Sequence, residues 1–506
     1  MSDLSHASVK SFFSWILFLL VLALRPVCIA GSWADEGFHT VEKKGVIYKF
    51  SKADKETEYF ITHDFPTWED ETFDVFELVK DAQGIAIDIG AWIGTTAIWL
   101  SKNFHHVIAV EADKTSLESI ARNLIASESQ NVTLCPFPVA ETSEDVIFGP
   151  RGARLNESIS CMKSQADNPL DYTVKSLTFK QILFDYVYSN QTLDEKRIAF
   201  VKCDIEGGEE DILEDVLHFA YNNKVPVYMS FHVSWWKSKK INDFHYLFKY
   251  FENNIHSNDL CSYIESNPFC SVLFIPKENG DVLEKKNITA LIIGFNQPTY
   301  IRNMVTQLEK LTSDIVVVDN NSDSASLLKY YKNEFKHTLL RMKSNFGHLV
   351  YQKDCIQKLM GDLYILTDPD LQFSPSLPEH CVQNLIAISN YFKSNRVGFA
   401  LLIDADDIRS DISCYGLSVQ MWESEFWKNK LPYPPNPSLE LFQAPIDTSF
   451  SLVNRRFSDP SIRVAGDYTC KHLPWHKNFD SFLEKGEYEF YLKNNKSTNW
   501  FNISQP

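Results

Sequence analysis

From Gly84 to His232 the chain alternates short apolar runs with stretches whose apolar positions recur at helical spacing. The runs IAIDI, HVIAV, NVTL, IAFVKC and VPVYMSFHV are rich in Val and Ile, as strands buried on both faces of a parallel sheet require. Helix-like segments follow most of them, for example Thr95–Phe104 and Ser116–Ser127, which predicts successive βαβ units. Residues Cys135–Arg197 interrupt the alternation with Gly149, Gly152 and several Asn, and read as extra strands or a substrate-side insertion. Pro276–Asn287 (PKENGDVLEKKN) has almost no apolar content and mixes both charges, as a connector does. The pattern then restarts with ITALIIGF, a helix over Thr299–Leu311, DIVVVD and DLYILTD. The expectation is an α/β chain with one domain over 32–275, a linker at 276–287 and a second domain over 288–506.

Composition supports that division. A chain of 506 residues is too long for one ordinary core and suits two α/β domains of roughly 200 to 250 residues. A formal charge of −17 argues against a general nucleic-acid binder, because phosphate binding needs a dense Lys/Arg surface. The ten cysteines include no C-x-x-C pair, so neither a zinc knuckle nor a redox motif is indicated. Residues 1–31 hold an uncharged run, Ser11–Leu24, between Lys10 and Arg25. The run is shorter than the ~20 residues of a spanning helix, and Cys28-Ile29-Ala30 resembles a small-residue cleavage site. A cleaved signal peptide and, with the helix extended through Ala30, a signal anchor both remain open. Either implies the secretory pathway or a membrane, in keeping with sequons at Asn131, Asn156, Asn190, Asn287, Asn495 and Asn502.

The first chemistry-bearing turn follows IAIDI. Asp88 precedes Gly90-Ala91-Trp92-Ile93-Gly94, and the next strand ends at Glu111, 21 residues beyond Gly90. Glycines at that turn let backbone approach a nucleoside, and an acid one strand over accepts hydrogen bonds from ribose hydroxyls. The loop reads D-x-G-x-x-x-G, not the G-x-G-x-x-G of a dinucleotide site, which favours S-adenosylmethionine (SAM), a cofactor with no pyrophosphate to cradle. Asp88, Gly90, Gly94, Glu111 and Asp204 are the candidate cofactor contacts. The later run Phe200–Glu209 (FVKCDIEGGE) delivers three acids and two glycines at the carboxyl end of a strand, the edge where such sheets bind ligands.

Through DIGAWIG, VEAD and VKCDIEGGEEDIL, in that order, Gly84–His232 resembles the FkbM-type family of SAM-dependent methyltransferases. The resemblance implies a Rossmann-like seven-stranded sheet and O-methylation, often of sugar hydroxyls. Trp92 and Ser176-Leu177-Thr178 depart from the family pattern. Methyl transfer from a sulfonium is an in-line displacement, so a weakly acidic hydroxyl must be aligned and relieved of its proton. Asp204, Glu206, Glu209 and His232 are the candidates for that work.

In the second half, Leu291–Pro298 (LIIGFNQP) is a strand leading to a polar turn, and Asp314–Asp319 is a strand followed by Asn320-Asn321-Ser322-Asp323. DLYIL then runs into Thr367-Asp368-Pro369-Asp370. In an extended segment, residues i and i+2 project to one side, and two carboxylates so placed suit Mg²⁺ or Mn²⁺ bridging a sugar-nucleotide diphosphate. Asp404-Ala405-Asp406 has the same spacing, and position separates the two. The ordered set IIGFNQP, VVVDNNSD, Ser344-Asn345-Phe346-Gly347 and LTDPD, with Ile462–Tyr468 and His472–Trp475 further on, resembles GT-A fold glycosyltransferases related to family 2. The resemblance implies Asp319 at the nucleoside, Asp368 and Asp370 at the metal and diphosphate, and His472 at the metal or diphosphate. Asp447, Asp407 and Glu423 are candidate acceptor bases, with Asp447 ranked first because an apolar-polar run follows it.

The combined expectation is a bifunctional enzyme acting on a glycan or glycoconjugate acceptor with SAM, a nucleotide-sugar donor and a divalent metal. The competing expectations are an active methyltransferase with a non-catalytic glycan-binding C-terminal domain, and a membrane-tethered interaction protein whose two sites are relics.

Overall fold

The Val- and Ile-rich runs assemble into two large sheets in the computed structural model, which describes residues 37–52, 57–151, 160–190, 192–255, 257, 259–278, 288–403, 406–413, 416–481, 483–494 and 501–502. The candidate signal segment and most of the connector, residues 279–287, lie outside the described residues. An antiparallel hairpin of β1 (Phe38–Lys43) and β2 (Val46–Ser51) comes first. Strands β3 (Ile85–Ile89), β4 (His106–Val110) and β5 (Val132–Cys135) then pair in parallel. The interrupting segment holds β6 (Asp145–Pro150), β7 (Ser160–Lys163) and β8 (Tyr172–Lys175), a separate antiparallel sheet. Strands β9 (Ile198–Cys203), β10 (Val227–His232), β11 (Phe251–Asn253) and β12 (Phe269–Pro276) complete the sheet, whose order is β11-β12-β10-β9-β3-β4-β5.

This is the seven-stranded Rossmann-like arrangement that the first resemblance implies. The chain leaves β3 for β4 on one side and later returns to β9 on the other. The carboxyl ends of β3 and β9 therefore border a topological switch point, where the diverging loops leave a crevice.

The second half contains β13 (Ala290–Gly294), β14 (Ile315–Asp319), β15 (Thr338–Arg341), β16 (Leu363–Thr367), β17 (Leu371–Phe373), β18 (Ser394–Phe399), β19 (Ile412–Ser413), β20 (Lys430–Leu431), β21 (Leu441–Gln443), β22 (Ser451–Asn454), β23 (Ser458–Val464), β24 (Cys470–His472) and β25 (Phe501–Asn502). Nine of these form one mixed sheet, ordered β15-β14-β13-β16-β22-β18-β23-β21-β20. Its β13–β16 portion is parallel, as buried Val/Ile runs require, and β22 enters antiparallel to β16.

The two sheets are not independent beads. One apolar cluster runs from Ile87 and Val201 of the first sheet, through Phe179, Leu183 and Leu217, to Leu291 and Val316 of the second. Polar contacts stitch the same seam: Lys180 Nζ lies 2.9 Å from Asp314 and 3.2 Å from Asp215, and the Thr178 and Thr338 hydroxyls are 2.8 Å apart. The eight described cysteines are free thiols. Of the sequons, Asn131 spends its amide nitrogen on the carbonyls of Ser101, Phe104 and His105. Among the described residues no helix is long and apolar enough to cross a membrane.

Candidate active sites

The first site is built where β3 and β9 end. Gly90 has φ +81°, and a Cβ there would stand 1.8 Å from the carbonyl oxygen of Asp204. Only glycine lets these two loops close on each other. Trp92 also adopts a left-handed backbone, φ 47°. Its N–H donates to Glu111 Oε2 at 2.8 Å, while Glu111 Oε1 accepts from Asp113 N at 2.7 Å. Burial pushes the Glu111 carboxyl up to about 7. Gly90, Glu111, Asp204 and Glu206 all face one cavity of about 350 Å³, roofed by Trp92, Phe137, Phe148 and Met162. The antiparallel β6–β8 sheet thus supplies part of the wall, the role expected of a substrate-side insertion.

Two predicted contacts are placed elsewhere. Asp88 is fully buried behind the loop, accepting from Thr96 Oγ1 at 2.7 Å and facing Lys202 Nζ at 3.2 Å. Lys202 donates to the Gly90 carbonyl at 2.7 Å. Asp88 therefore positions the glycine turn and is not on the cavity wall, because the strand's alternation turns its side chain inward. Gly94, φ +94°, precedes the helix Thr95–Asn103 and serves its geometry.

Beside the cavity-lining Asp204 and Glu206, His232 closes β10 with Nδ1 2.9 Å from Glu209 Oε1. Its Nε2 lies 3.7 Å from Asp204 Oδ1 and 3.5 Å from Glu206 Oε2. Burial opposes charge on this ring, but the Glu209, Asp204 and Glu206 carboxylates outweigh it and raise His232 to about 9. Burial likewise lifts Glu206 to about 7, with His232 pulling the other way. Glu209 is fully buried and its oxygens accept from the Gly207 N–H and from Trp236 Nε1. The four residues named from the sequence lie together here. The sequence reading missed Arg151, which donates to the Glu206 carbonyl at 2.6 Å and stacks on Trp235, and Lys202, whose signal was a lone lysine inside a strand otherwise buried on both faces.

The second site lies at the carboxyl ends of β13, β14 and β16. Asn296 locks the first two loops, its Oδ1 accepting from the N–H groups of Asp323 and Ser324 at 2.9 Å each. Asp319 is fully buried and caps its own turn by accepting from Ser322 N at 2.9 Å. The exposed carboxylate of that turn is Asp323. Asp368 and Asp370 come together as expected, though through a bend at Pro369 between β16 and β17 and not along an extended strand, because Pro cannot continue the ladder.

Burial, reinforced by the neighbouring Asp370, holds Asp368 above the usual carboxylate range, and burial raises Asp370 as well. Asp368 Oδ2 accepts from Thr448 Oγ1 at 2.6 Å. His472 Nε2 is 3.6 Å from Asp370 Oδ2, and burial lowers this imidazole to about 3, leaving it neutral. Asp370 Oδ1 and His472 Nδ1 are buried without hydrogen-bond partners. Asp370 and His472 thus each carry an unsatisfied buried polar atom, the kind of donor a divalent cation uses, although among the described residues Asp368, Asp370 and His472 do not converge as closely as Asp204, Glu206 and His232 do.

The candidate bases separate clearly. Glu423 is buried in an ion pair with Arg463 and is structural. Asp407 is bound to His476 at 2.9 Å and to Lys471 at 3.5 Å. Asp447 is exposed, adjoins Thr448 and precedes β22. Sequence reasoning missed Glu487, which caps the helix Pro298–Leu308 by accepting from Thr299 N and Oγ1 at 3.0 and 2.6 Å.

Residues 289–456 match the family model described as Glycosyl transferase family 2. The C-terminal region is thus similar to glycosyltransferases of that family, and the chain is a transferase enzyme. No curated protein matches the chain. Among solved structures, the chain is similar to an rRNA methylase from Streptococcus thermophilus, at 11% identity and TM-score 0.25, over 41% of this chain and 95% of that one. It is also similar to methyltransferase FkbM from Methylobacillus flagellatus KT, at 15% identity and TM-score 0.22, over 38% of this chain and 44% of that one. A third similar structure is M. jannaschii TYW2 in complex with AdoMet, at 11% identity and TM-score 0.25, over 48% and 88%.

Proposed function

We propose that the chain is a bifunctional glycan-modifying enzyme, a SAM-dependent O-methyltransferase of a sugar hydroxyl joined to a metal-dependent glycosyltransferase using a nucleotide-sugar donor. The observation that carries the first activity is the cavity of about 350 Å³ at the switch point, with the Gly90 turn, Glu111 and Asp204 on its wall. Glu111 retains lone pairs to accept from ribose hydroxyls beside its two backbone contacts. The Asp204–Glu206–His232 side holds the acceptor hydroxyl in line with the sulfonium methyl and draws off its proton.

In the second domain Asp368, Asp370 and His472 would hold the cation, and Asp323, at the rim of the Asn296-locked turn, faces the nucleoside. When bound, the cation neutralises charge developing on the leaving diphosphate. Asp447 takes the acceptor proton as the acceptor oxygen attacks the anomeric carbon. A second reading, a non-catalytic glycan-binding C-terminal domain, draws on the complete burial of Asp319. It predicts that D368N/D370N leaves the overall reaction unchanged. The segment Ser11–Leu24 directs the chain to the secretory pathway or a membrane.

Calorimetry of the full chain with SAM, and separately with UDP-sugars plus Mn²⁺, tests both activities, followed by mass analysis of an acceptor for added hexose and added methyl. Absence of binding in both titrations sinks the proposal. Binding of SAM alone, with D368N/D370N silent, selects the second reading.

A further inference from the structure

We propose that Asp204, Glu206 and His232 form a second divalent-cation site, in the N-terminal domain, for a first-row ion of the Mn²⁺ class. As a binding site it stands apart from the cofactor reading; its part in methyl transfer rests on that reading. The parallel neighbours β9 and β10 pair as far as Cys203 and Met229, which places Asp204 just past the end of β9 and His232 three residues beyond that pairing, at the tip of β10. One ligand-type atom from each of Asp204, Glu206 and His232 lies within 4.8 Å of the other two, a convergence no other three such side chains among the described residues achieve. The separations of 3.5 and 3.7 Å from His232 Nε2 to the two carboxylates are long for hydrogen bonds. They match ligands that each stand roughly 2.0–2.2 Å from a shared ion.

A second observation points the same way. The fully buried Glu209 accepts from His232 Nδ1 at 2.9 Å and is itself held by the Gly207 N–H and Trp236 Nε1. A carboxylate fixed on one imidazole nitrogen leaves the other aimed at a metal, the arrangement that orients histidine ligands in metal sites. Charge balance agrees. Three carboxylates surround one imidazole; of the cations beside them, Lys202 is committed to Asp88 at 3.2 Å and to the Gly90 carbonyl at 2.7 Å, standing 3.9 Å from Asp204, and Arg151 donates to the Glu206 carbonyl at 2.6 Å. One nitrogen with two carboxylates suits Mn²⁺, Fe²⁺ or Zn²⁺ better than the all-oxygen sites of Ca²⁺ and Mg²⁺. Asp204 and Glu206 also line the cavity, so an ion held here has an open side toward the acceptor. On the cofactor reading, an ion held here would bind and orient the acceptor hydroxyl and ease loss of its proton, with Asp204, Glu206 and His232 serving as ligands in place of acting as the base themselves.

The test is an electron paramagnetic resonance titration of chelator-treated full-length D368N/D370N with Mn²⁺, a background that silences the other acidic pair. One Mn²⁺ per chain is expected. E206Q and H232N added to that background should each weaken Mn²⁺ binding at least tenfold, and E209Q by roughly 10- to 100-fold without removing a ligand. Circular dichroism and SAM calorimetry on the same variants show whether each is folded, and H232N serves if E206Q is not. No Mn²⁺ on the D368N/D370N chain, or affinity untouched by both E206Q and H232N, overturns the site. SAM binding without Mn²⁺ binding discards the cation and keeps the cofactor reading; Mn²⁺ binding without SAM binding does the reverse.

Discussion

Single residues in this protein are constrained by what their neighbours leave open. At Gly90 the constraint is doubled: the backbone is left-handed and the Asp204 carbonyl fills the space of a side chain. Gly90→Ala combines backbone strain with overpacking, so a loss of about 2–4 kcal/mol in stability is expected, with SAM affinity falling in step. Urea unfolding and calorimetry check it, and a variant as stable as the parent contradicts the close approach. His106 carries a different constraint. Burial, with His105 adding to it, lowers its imidazole from 6.5 to about 4, and Nε2 is engaged with Thr133 Oγ1 at 2.9 Å. Above pH 6.5 both folded and unfolded chains hold it neutral. As pH falls from 6.5 toward 4 the unfolded chain takes up the proton first, so stability is lost across that window. His106→Gln should shrink the drop in Tm between pH 7 and pH 5 by roughly 2–4 °C, measured by differential scanning calorimetry. An unchanged drop removes His106 from the account.

At the scale of elements, the strand pattern was legible because a strand buried on both faces must be apolar along most of its length, as in Ile85–Ile89 apart from Asp88 and Ile315–Asp319 apart from its last residue. The turns that cap those strands were legible through Gly90, Asn296 and the acids after Cys203. Which side chain each turn sends inward was not. Asp88 and Asp319 looked like ligand contacts, and both are buried, Asp88 turned inward by the alternation of β3 and Asp319, the last residue of its strand, turned back onto its own turn. Lys202 shows the cost of such inward charges. Burial works against its ammonium, and Asp88 and Asp204 outweigh that and keep it protonated. Lys202→Met therefore strands Asp88 in the core, and a loss of about 3–5 kcal/mol is expected. The double variant D88N/K202M should recover more than half of it, because no uncompensated charge remains. Additive losses in denaturant titrations argue against the pairing.

Across the whole molecule, the sequence reveals two periodic halves but not the layer they share, because hydrophobic spacing shows that a helix has an apolar face without showing which sheet will cover it. The short helix Phe179–Ile182 and the helix Glu209–Asn223 lie in a cluster that reaches β13 and β14, so the halves are expected to unfold together. Lys180 is the polar key of that layer, its side chain only 9% exposed and shared between Asp215 and Asp314. Asp314 in turn accepts from Thr289 Oγ1 at 2.5 Å, at the entry to β13. Removing the ammonium leaves two carboxylates facing one another across the seam, in surroundings where an unpaired charge costs about 3–5 kcal/mol. The two sheets retain their own cores, so that cost falls on the interface. Lys180→Ala should split a single calorimetric transition into two, the lower displaced downward, while Lys180→Arg keeps one. If Lys180→Ala lowers a single transition without dividing it, the apolar layer alone couples the halves, and the salt bridge contributes stability but not cooperativity.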